Sequence, residues 1–368
     1  MKITGAVLSD IGRPRPYAGS RPLEVCELEL DGPGPGEILV RIEAAGVCHS
    51  DLSVVDGNRV RPVPMLLGHE AAGIVAELGP GVSDLAPGQR VVMSFLPRCG
   101  ECAQCAEDGR LPCGRGSASN NAGTLLRGTR HLRRGAEMVQ HHLGVSGFAT
   151  YAVVDRASAV PVGDDVPPAV AAVLGCAVLT GGGAVLNAAR PGPADSIMIV
   201  GLGGVGMAAL LTAVSQGLSR IIAVDTLADK LATARRLGAH EAYTPQEVAD
   251  GGIRARYVIE CAGSARAFET AFLATEAGGT TVTAGLPSPD ARAHISPLTL
   301  TAEARTVIGS YLGSAVPSRD IPVYAQLWRD GKLPVEELIS SRIRLEDINE
   351  AMDQLADGAA IRQIIEFP

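Results

Sequence analysis

The chain has 368 residues, a formal net charge of −8 and a hydrophobic content of 46%. This length accommodates two domains, each with its own core, and the acidic balance argues against nucleic acid or an anionic membrane as a partner. The sequence opens without an apolar signal region, and no uninterrupted apolar run approaches the ~18 residues that a membrane helix needs. These observations predict a cytoplasmic protein that has no membrane partner.

The first hundred residues or so predict an all-β domain. Residues 25–30 alternate between apolar and polar side chains, as in a half-buried strand, and further short strands are predicted at residues 38–42 and 73–78. Turns rich in glycine and proline separate these strands. Many short strands with such turns between them indicate a barrel or a sandwich.

Two segments of this region carry candidate zinc ligands with neighbouring acids: Cys48-His49-Ser50-Asp51 and His69-Glu70. Thiol and imidazole groups suit zinc, and a nearby carboxylate can orient an imidazole or compensate the charge of the ion. A catalytic zinc usually has three protein ligands and one open position, so a third ligand is expected further along the chain. Cys176 is the candidate. The alternative is a buried structural thiol beside a core histidine.

A second set of thiols is crowded into a short stretch: Cys99, Cys102, Cys105 and Cys113. Four thiolates at this spacing can close a tetrahedral shell around one ion, which leaves no position for a substrate and predicts a structural role. An iron–sulfur cluster uses similar ligands, and four unmetallated thiols are the remaining alternative. Cys26 and Cys261 are interpreted as small apolar residues, because cytosolic thiols stay reduced.

Residues 114–147 show no clear periodicity, and such a long irregular stretch is expected to be functional or mobile. Two adjacent histidines, His141 and His142, lie near its end. Neighbouring residues on a strand point to opposite faces of the sheet, which argues against a third metal site built from this pair.

From about residue 180 the pattern changes to alternating strands and helices. An apolar strand at residues 197–200 leads directly into a glycine-rich turn and an apolar-striped helix, and the next strand, residues 221–224, ends at Asp225. This context indicates a dinucleotide-binding turn, whose glycines let the backbone approach a pyrophosphate: Gly201, Gly203, Gly204 and Gly206. Asp225 can bond an adenosine ribose and would repel a 2′-phosphate, which favours NAD over NADP. The alternative is an ordinary turn between a strand and a helix.

The Gly68-His69-Glu70-x2-Gly73-x5-Gly79 segment, the four-cysteine stretch and the glycine-rich turn resemble the medium-chain, zinc-dependent alcohol dehydrogenases, over nearly the whole chain. The resemblance implies an α/β protein with a GroES-like β-barrel catalytic domain and a doubly wound Rossmann domain. It implies a catalytic domain at residues 1–178, with a structural-zinc lobe at residues 95–115. The NAD-binding domain would follow at residues 179–318, and residues 319–368 would return to the catalytic domain.

The same resemblance implies roles for individual residues. Cys48, His69 and Cys176 would hold a catalytic zinc with Glu70 beside it, and the four crowded cysteines would hold a structural zinc. Besides the glycines and Asp225, the cofactor contacts would be His49, Thr180, Val205, Lys230 and Arg362. The substrate pocket would be lined by Phe95, His142, Leu143, Leu286 and Tyr311.

The implied reaction transfers hydride between a primary or secondary alcohol and NAD, with zinc as a Lewis acid and an aldehyde or ketone as product. Ser50 matches the proton-relay hydroxyl of the family. Ser53 stands where many relatives have a histidine, so His49, water or the cofactor ribose is left to complete the relay.

The apolar pocket suits medium-sized or aromatic alcohols better than ethanol. One alternative is a thiol-dependent formaldehyde dehydrogenase, and another is a non-catalytic NAD-binding protein with a structural or regulatory role. The resemblance also implies a homodimer, with a homotetramer as the alternative.

Overall fold

The computed structural model describes residues 1–368, and the chain forms two compact units. The first unit comprises Met1–Cys176, Val316–Ala325 and Val335–Pro368, and the second comprises Ala177–Ala315 and Gln326–Pro334. The sequence-based assignment of all of residues 319–368 to the first domain differs for Gln326–Pro334. These residues belong to the second unit because the helix Pro317–Arg329 carries the chain out of the first unit before it ends.

The strands are numbered here in chain order. They are β1 (Lys2–Leu8), β2 (Leu23–Leu30), β3 (Glu37–Val47), β4 (Met65–Leu66), β5 (Glu70–Leu78), β6 (Arg90–Met93), β7 (Leu132–Arg134), β8 (Glu137–His141), β9 (Tyr151–Asp155), β10 (Ala159–Pro161), β11 (Ser196–Val200), β12 (Arg220–Val224), β13 (Glu241–Tyr243), β14 (Ala255–Glu260), β15 (Thr275–Thr283), β16 (Thr306–Gly309), β17 (Ser341–Ile343) and β18 (Gln363–Glu366).

The α-helices are α1 (Tyr17–Ser20), α2 (His49–Val55), α3 (Gly114–Ala122), α4 (Pro168–Val173), α5 (Leu179–Gly183), α6 (Gly204–Ser215), α7 (Ala228–Arg236), α8 (Pro245–Asp250), α9 (Ala265–Leu273), α10 (Pro297–Ala302), α11 (Pro317–Arg329) and α12 (Ile348–Ala356). Two π-helical segments, Leu174–Val178 and Ala184–Ala189, follow α4 and α5. Short 3₁₀ turns complete the set: Ala103–Glu107, Arg156–Ser158, Tyr311–Ser314, Val335–Leu338 and Leu345–Asp347.

The first unit contains a closed barrel with the strand order β1-β2-β7-β8-β4. In β2 the side chains alternate as predicted, with Leu28 and Leu30 in the barrel core and the intervening glutamate exposed. A second sheet has the order β10-β6-β5-β3-β18-β17, and β9 also pairs with β3. The predicted barrel is therefore confirmed. In the sheet beside it, β3 and β5 lie next in the chain to the candidate metal ligands Cys48 and His69.

Residues 114–147 are more regular than the sequence indicates. They contain helix α3 and the hairpin of β7 and β8, which closes the barrel between β2 and β4. The two strands are short, and their inward-facing apolar side chains are few: Leu132 and Val139. Because so few apolar side chains alternate with the surrounding arginines and glutamates, the sequence shows no periodic pattern there.

The second unit is built on a six-stranded parallel sheet with the order β13-β12-β11-β14-β15-β16. This is the strand order of a doubly wound dinucleotide-binding fold, so the predicted α/β class is confirmed. The apolar runs in β11 and β12 are buried because helices cover a parallel sheet on both faces.

The helical stretch Pro168–Ala189 is apolar and long enough to cross a membrane, with a mean hydropathy of 2.1. Thr180 and Asn187 interrupt its apolar residues, so the stretch is not an uninterrupted apolar run. It reaches this hydropathy as a whole helix because neither residue adds charge. Within the structure 94% of its apolar window is buried, which is the environment of a core helix.

A buried polar cluster in the first unit was not anticipated from the sequence. The Glu37 carboxylate accepts hydrogen bonds from the Gly34 N–H at 2.8 Å and from the Thr129 hydroxyl, and it lies 2.7 Å from Nε2 of His131. The backbone N–H of His131 donates in turn to Nε2 of His141 at 3.2 Å. Burial, followed by repulsion from His131, lowers the pKa of His141 from 6.5 to about 3, so His141 is a neutral acceptor.

This cluster predicts that acid destabilises the first unit. The folded-state pKa of His141 lies below its unfolded value, so the unfolded chain binds more protons and the free energy of unfolding falls as the pH drops below 6.5. Glutamine at position 141 can still accept the bond but cannot titrate. Relative to the wild type, His141→Gln should therefore gain about 2 kcal/mol of stability between pH 7 and pH 5, measured by urea unfolding.

The matched control is Met138→Gln on the same strand, because Met138 is 40% exposed and neither side chain titrates, so the pH dependence should stay that of the wild type. Parallel pH profiles for the wild type and His141→Gln would contradict a neutral, buried His141.

Candidate active site

Three separate parts of the first unit bring Cys48, His69 and Cys176 together. Cys48 lies between β3 and α2, His69 immediately precedes β5, and Cys176 lies in the π-helical segment after α4. Their ligand atoms lie within 4.8 Å of one another, and all three residues are buried. The structure therefore gathers the three ligands predicted for the catalytic metal.

The carboxylate of Asp51, which is fully buried, holds two of these ligands in place. Its Oδ2 accepts from the Cys48 N–H at 3.2 Å, and its Oδ1 accepts from the Gly68 N–H at 3.2 Å and lies 3.0 Å from Nδ1 of His69. Burial opposes ionisation, yet the histidines at 69 and 142 hold the pKa of Asp51 below its usual value. A carboxylate at Nδ1 fixes the imidazole tautomer and directs Nε2 towards the thiols.

Gly68 is needed for this arrangement. Its φ of +90° lies in the region that favours glycine, and a Cβ at this position would lie 2.4 Å from the backbone nitrogen of Phe148. The turn it makes lets His69 face the two cysteines while the Gly68 N–H reaches Asp51.

The donor set fits a zinc ion. Sγ of Cys176 lies 3.4 Å from Nε2 of His69, close to the separation of about 3.5 Å expected for sulfur and nitrogen ligands of one tetrahedral zinc. A hydrogen bond from Cys176, with attraction from Arg362 and His69, holds the pKa of Cys48 well below its usual value despite burial. The pKa of Cys176 is raised in turn, so the pair already favours one thiolate.

Glu70 lies outside this ligand group and forms a buried ion pair. Its Oε1 is 3.2 Å from Nε of Arg362, and Nη1 of Arg362 donates to the carbonyl of Val47 at 2.9 Å. Burial raises the pKa of Glu70 to about 7, against the attraction of Arg362. A role of Glu70 beside the metal and a cofactor contact by Arg362 both stay predictions.

Two of the predicted pocket residues lie against His69. The ring of Phe95 packs edge-on at 5.6 Å between centroids, and the ring of His142 does so at 5.7 Å. Leu143, next to His142, is 7% exposed. The other two belong to the second unit: Leu286 is 46% exposed there, and Tyr311 begins a 3₁₀ turn.

Helix α2 begins with the residues of the predicted proton path. His49 and Ser50 form its first turn, with His49 exposed and Ser50 half-buried. The Ser53 hydroxyl donates to the backbone carbonyl of His49 at 2.8 Å, so it is engaged with the helix itself.

The segment at residues 95–115, called here the cysteine lobe, holds the second metal-type group. The Sγ atoms of Cys99 and Cys105 are 3.9 Å apart, as are those of Cys102 and Cys113. A tetrahedral zinc with sulfur bonds of about 2.3 Å separates its sulfurs by about 3.8 Å, whereas a disulfide needs about 2.0 Å. The lobe therefore fits one metal ion with every position filled by protein.

In the second unit the glycine-rich turn joins β11 to α6. A Cβ on Gly206 would lie 1.8 Å from the carbonyl oxygen of Gly201, so only glycine allows this tight entry into the helix. Gly203 precedes the first turn of α6, where a Cβ would meet no atom within 4 Å. The turn thus leaves its backbone open at a helix N-terminus, as pyrophosphate binding requires.

Asp225 lies at the end of β12 and faces this turn. Its carboxylate accepts from the Leu202 N–H at 2.7 Å and from the Leu227 N–H at 3.0 Å. Lys230 lies half-buried in the first part of α7. Thr180 precedes Gly181, where a Cβ would lie 2.1 Å from the carbonyl oxygen of Val205, so these two predicted contacts lie close together.

Sequence reasoning missed one contact of the site. The sequence predicts that His142 lines the pocket, but it is only 1% exposed, and its Nε2 lies 3.2 Å from Oδ1 of Asp51. His141 points elsewhere, with its ring 6.2 Å from that of His131. The alternation of adjacent strand residues gives opposite directions for the two histidines but not their partners.

Comparisons with known proteins identify the family of this chain. Residues 34–164 match the family described as "Alcohol dehydrogenase GroES-like domain", and residues 204–329 match "Zinc-binding dehydrogenase". The chain is 34% identical over 375 residues to an NDMA-dependent alcohol dehydrogenase of Amycolatopsis methanolica, covering 99% of each protein.

Two solved structures are similar over the whole chain. Benzyl alcohol dehydrogenase from Acinetobacter calcoaceticus has a TM-score of 0.91 at 31% identity, with 100% of both chains covered. An alcohol dehydrogenase zinc-binding domain protein from Burkholderia ambifaria has a TM-score of 0.92 at 32% identity, covering 100% of this chain and 99% of that one. With both family matches and the ligand geometry described above, the chain belongs to the zinc-dependent alcohol dehydrogenases of the medium-chain dehydrogenase/reductase family.

Proposed function

We propose that this protein oxidises medium-sized or aromatic alcohols to aldehydes or ketones with NAD as the hydride acceptor, or catalyses the reverse reduction. The observation that carries the proposal is the buried group of Cys48, His69 and Cys176, oriented by Asp51. The similarity to a benzyl alcohol dehydrogenase and the aromatic ring of Phe95 beside His69 support an aromatic substrate.

A zinc ion held by these three ligands would supply a Lewis acid that favours the negatively charged form of the substrate oxygen. The protein's own contribution is geometric and electrostatic. Asp51 fixes the ring of His69, and burial of all three ligands limits the access of water to their sulfur and nitrogen atoms. The cysteine lobe would hold a second zinc with a structural role, since its four thiols leave no open position.

NAD is favoured over NADP because a carboxylate stands at the tip of β12. Asp225 can accept bonds from both adenosine ribose hydroxyls, and its charge disfavours a 2′-phosphate. His49, Thr180, Val205, Lys230 and Arg362 complete the proposed cofactor contacts, and Leu143, Leu286 and Tyr311 the proposed pocket.

A second hydride acceptor is considered because of one relative. The Amycolatopsis methanolica protein is named as NDMA-dependent, at 34% identity. Assays of this protein with NAD, NADP and NDMA in parallel therefore separate the two possibilities. Formaldehyde with and without a small thiol tests the thiol-dependent alternative. A non-catalytic role would be expected to accompany loss of a metal ligand, and all three ligands are present.

We also propose a homodimer in the cytoplasm, with a homotetramer as the alternative. Strand β16 is an edge of the parallel sheet and carries Val307, which is 37% exposed, so this edge can pair with a second copy. Sedimentation velocity distinguishes the two assemblies.

The first prediction concerns substrate and cofactor. The wild type should oxidise benzyl alcohol faster than ethanol at equal concentration, with NAD preferred over NADP. Asp225→Ala should raise the Michaelis constant for NAD and relax the discrimination against NADP, because a hydrogen-bond acceptor and a repulsive charge disappear together. Asp229→Ala, four residues along in the next helix, is the control. A wild type that already prefers NADP would contradict the role given to Asp225.

The second prediction concerns metal content. Emission spectroscopy should find a zinc ion for each of the two cysteine-containing ligand groups. Cys176→Ala should lose one zinc and all turnover while its circular dichroism stays unchanged. Cys102→Ala should lose the other zinc and destabilise the cysteine lobe. Full activity of Cys176→Ala would exclude it as the third ligand.

The third prediction concerns proton transfer. If the Ser50 hydroxyl takes the proton that leaves the alcohol, Ser50→Ala should slow hydride transfer on the order of 10²-fold, as for loss of a general acid–base relay. Ser50→Thr should retain activity. Ser53→Ala is the matched control, because its hydroxyl only binds the carbonyl of His49.

Hydride transfer is measured before the steady state, since cofactor release can limit turnover. Equal hydride-transfer rates for the wild type and Ser50→Ala would show that the proton leaves by another route.

A further inference from the structure

His142 contacts the carboxylate that orients a metal ligand. Its Nε2 lies 3.2 Å from Oδ1 of Asp51, the same oxygen that His69 approaches at 3.0 Å. Both histidines and Asp51 are buried, and the two imidazole rings meet edge to face with an interplanar angle of 72°. One carboxylate oxygen is therefore shared by two imidazoles that arrive from different parts of the chain.

A tight turn after β8 aims His142 inward. The backbone N–H of His142 donates to the Ser146 hydroxyl at 2.9 Å, and the Val145 N–H donates to the His142 carbonyl at 3.0 Å. Leu143 and Gly144 adopt positive φ values of 50° and 66°. A leucine in this region costs conformational energy, so tertiary contacts must hold the turn in place.

The charge of Asp51 determines which ring nitrogen of His142 carries the hydrogen. A neutral imidazole has one N–H and one lone pair. A lone pair of Nε2 facing the carboxylate would be repelled, so Nε2 carries the hydrogen and Nδ1 the lone pair. The contact is longer than that of His69 and lacks the alignment of a regular hydrogen bond, so Nε2–H acts on Oδ1 mainly by electrostatic attraction, at an oxygen that already accepts two bonds.

A third metal ion between these groups is the competing interpretation, since Asp51, His69 and His142 also place their ligand atoms within 4.8 Å of one another. The separation of 3.0 Å between Asp51 Oδ1 and His69 Nδ1 is that of a direct N–H···O bond. The Gly68 and Cys48 N–H groups already occupy the carboxylate from the backbone side. Hydrogen bonding accounts for the cluster without an ion.

We infer that His142 is a positioning residue: its Nε2–H holds the Asp51 carboxylate, and through that carboxylate it holds the ring of His69 in the orientation that retains zinc. The inference rests on the proposed function in so far as it needs zinc at Cys48, His69 and Cys176. It replaces the pocket-lining role that the sequence predicted for His142.

The test compares zinc release from the full-length holoenzyme to a chelator. His142→Phe keeps a ring of similar size but removes the donor, and His142→Gln keeps an N–H donor without the ring. Loss of a residue behind a metal ligand typically costs 10- to 100-fold in affinity, so release from the His69 site should be about 10-fold faster in His142→Phe and close to wild type in His142→Gln.

Two controls separate this effect from general loosening. His141→Gln removes the neighbouring buried imidazole, which does not contact Asp51, and should leave the release rate unchanged. Zinc release from the cysteine lobe should be the same in every variant. Cys176→Ala should lose the zinc of the His69 site. The phase of zinc release that is absent from this variant therefore belongs to the His69 site.

Each outcome decides the matter. If His142→Phe released zinc at the wild-type rate, the positioning role would be overturned. Equally fast zinc release from His142→Phe and His142→Gln would also overturn it. Equally fast release from His141→Gln would do the same, because it would point to loosened packing. Absence of any zinc phase that Cys176→Ala removes would contradict the proposed function itself, and this result is distinct from the other three.

Discussion

The candidate active site depends on the hydrogen bonds to the buried, negatively charged carboxylate of Asp51. A carboxylate without solvent is costly unless its oxygens are hydrogen-bonded, and here N–H groups from Cys48 and Gly68 and the ring of His69 surround it. The charge therefore ties the end of β3 to the turn before β5, and each of these segments carries one metal ligand. Without this charge, no hydrogen bond to Asp51 would fix either segment at the position that its ligand requires.

The surroundings of the ligands are arranged so that charges are paired inside the unit. Arg362 arrives on the approach to β18, bonds the Val47 carbonyl next to Cys48, and places its cation beside Glu70. The hydrogen bond from Cys176, followed by the attraction of this cation, lowers the pKa of the Cys48 thiol. Because the thiolate, the fixed imidazole and the nearby ion pair are already in place, binding a metal costs the site little conformational entropy.

Local pattern predicted the elements but not all of their contacts. The glycine-rich turn after β11 and the acid after β12 were recognisable because the doubly wound fold requires them at fixed places along the chain. The ligands Cys48 and His69 were recognisable by residue type and by family resemblance. The partner of His142 was not, since it depends on how the barrel brings β8 beside β4, a long-range pairing. The hairpin of β7 and β8 was missed for a related reason, because only its closure of the barrel stabilises such short strands.

The pairing of β3 has a consequence for how the chain matures during synthesis. Ala44–Val47, the part of β3 that leads into Cys48, pairs with Glu366–Gln363 of β18. Until the ribosome has made those residues, this apolar edge beside the ligand has no partner strand. The second unit needs mainly Ala177–Ala315, so it can be complete while the first still lacks two strands of its sheet. The part of the protein that is translated first is thus the last to close, and during that interval its open edge is the place where nascent chains are most exposed to aggregation.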